Sequence, residues 1–253
     1  NYDEWHVFEA VFKKYPDSHN CVPDPMGFRV RLGGIPITMW GVLYAQQNEL
    51  NKACAQVALR SLISKVIRKD VSCTEINNFA RQVAPVPFGL KGGLTAVQIQ
   101  AVLEGFGIRY VDFDYSQHPS RERTRNPYQK YVYAGVESGA GALLGFSLKG
   151  PAITSELRHI IPFYGHTFNQ DTWAPEADMS YFRVGENLRY ISSANWTSSF
   201  LGHDDNFGPN FCVPRLYISP KQVVYVAELF KPGVVYGGAQ AEALSLRFLY
   251  SVL

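Results

Sequence analysis

Cys54 heads the stretch AQQNELNKACAQVALRSLISKVIRK, where a polar, amide-rich segment gives way to helical spacing. A thiol in the first turn of a helix meets unpaired N–H groups and the positive end of the helix dipole. Both favour a thiolate over a thiol. The competing reading is a small apolar core residue, a common role for cysteine. A nucleophilic thiol needs an imidazole within reach, and that imidazole needs a third group to fix its tautomer. Of the six histidines, His6, His19 and His118 lie in polar or irregular surroundings. His159 opens HIIPFYG, a strand running into the apolar interior, and His203 precedes two carboxylates in FLGHDDNFG. Strand ends are good places for such groups, because a rigid backbone presents the side chain to a cleft.

The elements that must position these residues follow from spacing. A helix is predicted over 51–68, with Asn51 as its cap and Ala55, Ala58, Leu59, Leu62, Ile63 and Val66 on one face. Ser72 with Glu75, then Thr95 with Gln98, form capping boxes for two more helices. The apolar sets of these helices are Ile76, Phe79 and Val83, then Val97, Ile99, Val102 and Leu103, with Gly105 and Gly107 suited to closing the second. Strands are predicted at FRVRL, IRYVDFDY, YVYAGVES, GALLGFSL, RHIIPFYGHTF, LRYISS, SSFLGHDD and QVVYVAEL, and a short helix at AQAEALSLRFLYSVL. Helices first and sheet afterwards predict an α+β fold. It is expected to be a single domain over 1–253. Within it, 1–43 is an irregular segment, 44–212 the core carrying the chemistry, and 213–253 a strand and helix extension.

Four features in this order resemble the papain-like cysteine peptidases, in particular the C39-like branch of bacteriocin-processing peptidases and their relatives. They are the amide-bearing segment before the Cys54 helix, GLTAVQIQAVLEGFGIRY, ESGAGALLGF, and RHIIPFYGH followed later by GHDDNFG. The resemblance implies a helical part carrying Cys54, packed against an antiparallel sheet carrying His159 and an aspartate. It implies Cys54 as nucleophile, His159 as general base and acid, and Asp204 as the orienting carboxylate, because Asp204 with Gly208 matches that group's spacing. Asp205 is the alternative, since a strand end cannot be fixed to one residue from sequence. An oxyanion amide is implied from Gln47, with Gln46 and Asn48 as alternatives. That group places its glutamine where Asn48 stands here, and its Asp-Cys-Gly is Ala53-Cys54-Ala55.

The implied activity is attack on a peptide or isopeptide bond through an acyl-enzyme. The same triad would also serve an amidase or a transglutaminase, or persist in a domain that binds without turnover. No cofactor and no metal are expected. His159, His166, His203 and Asp204 could converge on adjacent strands, but no HxH or HExxH pair supports a metal among them. In the insert HTFNQDTWAPEADMSYF, His166, Asp171 and Trp173 could line a substrate groove, and a structural hairpin extension is the other reading.

Composition narrows the partners. With 24 Lys and Arg against 22 Asp and Glu, the net charge of +2 calls for neither nucleic acid nor an anionic membrane surface. SRERTRNPYQK mixes signs and reads as a solvated loop. No apolar run reaches the roughly 20 residues of a membrane helix. Four scattered cysteines without a CxxC pair suit reduced thiols and a cytoplasmic setting. The partner that the resemblance implies is a protein or peptide substrate, with room for a partner domain.

Overall fold

The computed structural model describes residues 8–13, 20–46, 53–86, 93–115, 126–148, 157–169, 173–174 and 190–252. Among them, β1 (Phe8–Lys13), β3 (Met26–Leu32) and β4 (Ile35–Gln46) form a three-stranded antiparallel sheet in the order β1-β4-β3. The short β2 (Asn20–Cys21) joins the second sheet instead, alongside β7. The segment expected to be irregular thus holds four strands. FRVRL does lie in a strand, and its partner IPITMWGVLYAQ is rich in the β-branched and aromatic residues that suit one. The proline and glycines that suggested loops fall at its ends and turn.

The larger sheet comprises β5 (Tyr110–Asp114), β6 (Ala142–Leu148), β7 (Leu157–Phe168), β8 (Thr197–Asp204), β9 (Gly208–Pro214) and β10 (Val223–Leu229). Its order is β5-β10-β6-β7-β8-β9, every described pair antiparallel. The sequence offered no separate strand for β9. LRYISS is not a strand over its described residues; a 3-10 turn at Ser193–Trp196 leads into β8.

Five α-helices are described: α1 (Cys54–Ile67), α2 (Cys73–Arg81), α3 (Ala96–Gly105), α4 (Tyr128–Glu137) and α5 (Gly238–Val252). α1 packs against β7 and β4 on one side and α2 on another. The predicted face of Ala55, Ala58, Leu59, Leu62, Ile63 and Val66 is buried throughout. Burial of this kind stabilises by about 25 cal/mol per Å² of apolar surface, and the buried polar residues Gln56, Arg60 and Lys65 of α1 hydrogen-bond Asn77, Asp70 and the Gly139 carbonyl. Both capping boxes are present, and Gly107 closes α3 at a φ of +68°. Two apolar positions fall on the outside: Val83 and Val97 are exposed.

The strand expected at YVYAGVES is the helix α4. Its aromatic and β-branched residues mimic strand composition, but Tyr128, Tyr131, Val132 and Val136 recur at helical spacing and are buried on β10, β6 and β7. With a helix between β5 and β6 and a three-stranded sheet ahead of α1, the order is not helices followed by sheet. The fold remains a mixture of helices and antiparallel sheets.

Candidate active site

Cys54 is the first residue of α1. The preceding cap is Ala53, whose side chain makes no capping bond; Asn51, the expected cap, lies outside the described residues. The Ala53 carbonyl accepts the Val57 N–H at 3.0 Å as the first bond of the helix, and the Ala53 side chain offers no cap to the first-turn amides beside the thiol. Cys54 is only 8% exposed. It reaches outside through a cavity of about 470 Å³, which His159 also lines.

His159 sits on β7, opposite Phe146 of β6 and edge-on to its ring at 5.6 Å. Asp204 ends β8 and pairs with Gly208, the first residue of β9. That three-residue turn works because Gly208 adopts a φ of +118°, open to glycine and strained for other residues. Asp204 Oδ1 accepts the N–H groups of Asn206 at 2.8 Å and Phe207 at 3.1 Å. This local turn leaves Oδ2 to meet His159 Nε2 at 3.2 Å. Asp205 Oδ1 lies 3.3 Å from the same nitrogen. The two carboxylates that sequence could not separate therefore both face one imidazole.

With Nε2 held by carboxylates, Nδ1 is the nitrogen left to meet the Cys54 thiol, which lines the same cavity and favours the charged ring. Burial opposes a charge on His159. The bonds to Asp204 and Cys54, with the charges of Asp205 and Asp204, outweigh it and push the imidazole up to about 10. Burial also works against the Asp204 charge, yet His159 and the two backbone amides hold that carboxyl below its ordinary value. Asp205 has no such amide pair from the turn, and burial pushes it up to about 6 against the pull of His159. The arrangement brings together the Cys54 sulfur, an imidazole kept cationic and an ionised carboxylate.

His203 takes no part. It is 3% exposed, among the rings of Tyr164, Tyr44 and Phe12, and its Nδ1 accepts the Asn210 N–H at 3.2 Å. Burial pushes it down to about 3, so it stays a neutral packing residue. His166, expected in a groove, is buried against Glu137 and does not line the cavity. Trp173 packs edge-on to Trp196 at 6.1 Å and is likewise absent from the cavity wall. Asp171 lies outside the described residues. The imagined metal set of His159, His166, His203 and Asp204 is not brought together, although His159, Asp204 and Asp205 cluster closely enough to meet a cation. Gln46 ends β4 opposite Phe8. Gln47 and Asn48 lie outside the described residues.

The cavity wall holds residues that sequence reasoning missed. Leu94, Val97, Ile99, Ile160 and Val224 make it largely apolar, with Asp114 and Arg158 as its charged members. Exposed Val97 is accounted for here: it faces the cavity rather than the core. Asp114 had a signal, standing at the end of an alternating strand, but nothing in the sequence tied β5 to His159.

No protein-family model matches the chain, and no curated protein does. Among solved structures it is similar to the peptidase domain of Streptococcus ComA, described as a bifunctional ABC transporter involved in a quorum sensing pathway. The identity is 11%, the TM-score 0.39, and the match covers 71% of this chain and 92% of that one. A likeness this distant says nothing of residue roles. Those stand or fall on the geometry of Cys54, His159 and the two carboxylates.

Proposed function

We propose that the protein is a thiol-dependent acyl hydrolase, a cysteine peptidase of papain-like type, acting on a protein or peptide. The observation that carries this reading is the buried line from Cys54 through His159 to Asp204, opening on a cavity at the start of α1. In this reading the Cys54 sulfur attacks the substrate carbonyl carbon as a thiolate, its proton already resting on His159. The Cys54 N–H donates to the oxygen that becomes negative, together with a side-chain amide, Gln47 in the first place and Gln46 or Asn48 otherwise. The His159 imidazolium gives its proton to the leaving amine, and the C–N bond breaks to leave a thioester. His159, now neutral, takes a proton from water, whose oxygen attacks the thioester carbon; the carboxylic acid departs and the Cys54 thiolate and His159 imidazolium are restored.

Asp204 holds the ring in place through both steps and favours its charge whenever it carries the proton. Asp205 adds a second carboxylate to the same nitrogen. The largely apolar wall suits an uncharged or aliphatic stretch of the substrate beside the scissile bond, and a chain with few bulky residues would pass most readily to the nearly buried thiol. No cofactor enters this chemistry.

The test is incubation with a mixture of peptides and isopeptide-linked peptides, followed by mass spectrometry of products and of the protein. The reading predicts cleaved products and, on acid quenching, an acyl adduct on Cys54; Cys54→Ala removes both. Products that persist in Cys54→Ala would overturn it, as would an adduct on another cysteine.

A further inference from the structure

A second group of reactive side chains meets where β2, α4 and β7 come together, away from the Cys54 cavity. Cys21 on β2 donates its S–H to Glu137 Oε1 over 3.9 Å. The same oxygen meets Nε2 of His166. His166 is wholly buried, and its Nδ1 bonds the Thr167 carbonyl at 3.2 Å. The backbone sets this up, since β2 pairs with β7 in the register Asn20↔Thr167 and Cys21↔His166, while Glu137 is the last residue of α4. One ligand atom from each of the three lies within 4.8 Å of the others.

We propose that Cys21, Glu137 and His166 form a site for a divalent transition-metal ion, zinc being the ion whose preferences fit best. Sulfur, nitrogen and oxygen donors together suit zinc, whereas magnesium and calcium take oxygen. A tetrahedral ion with bonds of about 2.0–2.3 Å sets its ligands roughly 3.3–3.8 Å apart. The Cys21–Glu137 separation of 3.9 Å is already near that. The Glu137 side chain is 42% exposed and can swing outward to admit the ion between itself and His166. The bond from His166 Nδ1 to a backbone carbonyl is the outer-shell contact that fixes the tautomer of metal-bound histidines and leaves Nε2 for the ion.

Charge and protons balance as well. The Cys21 S–H bond breaks, its proton leaves to solvent, and thiolate and carboxylate together neutralise the dication while His166 binds as the neutral ring. Three protein ligands leave a fourth position for water on the Glu137 side. The ion would clip the two-residue β2 to the end of α4 and to β7.

A Co²⁺ titration, followed by thiolate-to-cobalt charge-transfer absorption, tests this in the wild-type chain and in Cys54→Ala, Cys21→Ser and Glu137→Gln. Expected is a saturable band that persists in Cys54→Ala and is lost in Cys21→Ser. Glu137→Gln, at a partly exposed position and with an amide oxygen that can still accept from His166, should weaken binding by at least the roughly tenfold that loss of an outer-shell partner costs. Absence of a band in the wild type would overturn the proposal. So would a band that survives Cys21→Ser, one that disappears in Cys54→Ala, or unchanged affinity in Glu137→Gln.

Discussion

Asp204 and Asp205 touch the same imidazole nitrogen but stand in different environments, and that difference assigns them different weights. Asp204 receives two backbone amides and stays ionised, while Asp205 is raised by burial to about 6. His159 is raised, so the stability its proton brings is fully present below the ordinary value of 6.5 and is lost as pH rises through about 10. Asp204 is lowered, so its contribution is present above the ordinary 3.8 and is lost on acidification. Removing the Asp204 charge takes away two of the causes that keep His159 protonated. Asp204→Asn should therefore move the alkaline limb of the activity profile to lower pH and cut kcat/KM by about 10²–10⁴-fold. Asp205→Asn should do less on both counts. A pH–rate profile of the two variants decides this, and a larger effect from Asp205→Asn would reverse the assignment.

At the scale of elements, close approach decides more than propensity. Gly135 lies within α4, where alanine would ordinarily gain about 1 kcal/mol. A Cβ there would sit 2.4 Å from the Gly141 carbonyl oxygen, where α4 turns back toward β6. Gly135→Ala should therefore destabilise, by about 1–3 kcal/mol, and a gain in the urea midpoint would contradict this packing. Leu62 on α1 is wholly buried, and Leu62→Ala should cost about 2–5 kcal/mol in the same measurement. These contacts also explain what was legible beforehand. The α1 face, both capping boxes and the strands bearing His159 and Asp204 could be read because each depends on neighbours within a turn or a few residues. α4 was not, since its tyrosines and valines carry strand composition that masks the helical spacing of Tyr128, Tyr131, Val132 and Val136, and burial of that face on β10 and β6 decides for the helix. β4 was missed because its outer half, Ile35 to Trp40, is exposed apolar sequence broken by Pro36, which looks like a loop until its pairing with β3 is known. The contact of both aspartates with His159 was half legible: the pair of carboxylates was visible, but their meeting at one nitrogen depends on the turn closed by Gly208.

The whole molecule carries a further ionisable group in its interior. Glu228 on β10 is fully buried, and its Oε1 accepts the Gly238 N–H at 2.6 Å, tying the start of α5 to the large sheet. Burial pushes this carboxyl up to about 7 from an ordinary 4.5, against the backbone bonds that favour its charge. Between those values the folded chain holds a proton that the unfolded chain has lost, so stability falls as pH rises through this window. Glu228→Gln should flatten that part of the stability curve, with urea midpoints across the window as the check. An unchanged slope would place the pH dependence elsewhere. No helix among the described residues is long and apolar enough to cross a membrane.

The measurement that bears most directly on the central claim is the rate of iodoacetamide labelling of each cysteine at mildly acidic pH, read by peptide mapping in the wild-type chain and in His159→Ala. An unassisted thiol is nearly inert there, whereas one paired with an imidazolium is not. The account predicts that Cys54 labels faster than Cys73, whose thiol burial pushes up. It also predicts that His159→Ala slows Cys54 labelling by about tenfold or more, with the rates at the other cysteines unchanged. Labelling of Cys54 at the rate of Cys73, or at the same rate with and without His159, would contradict the thiolate–imidazolium pair and with it the proposed acyl chemistry.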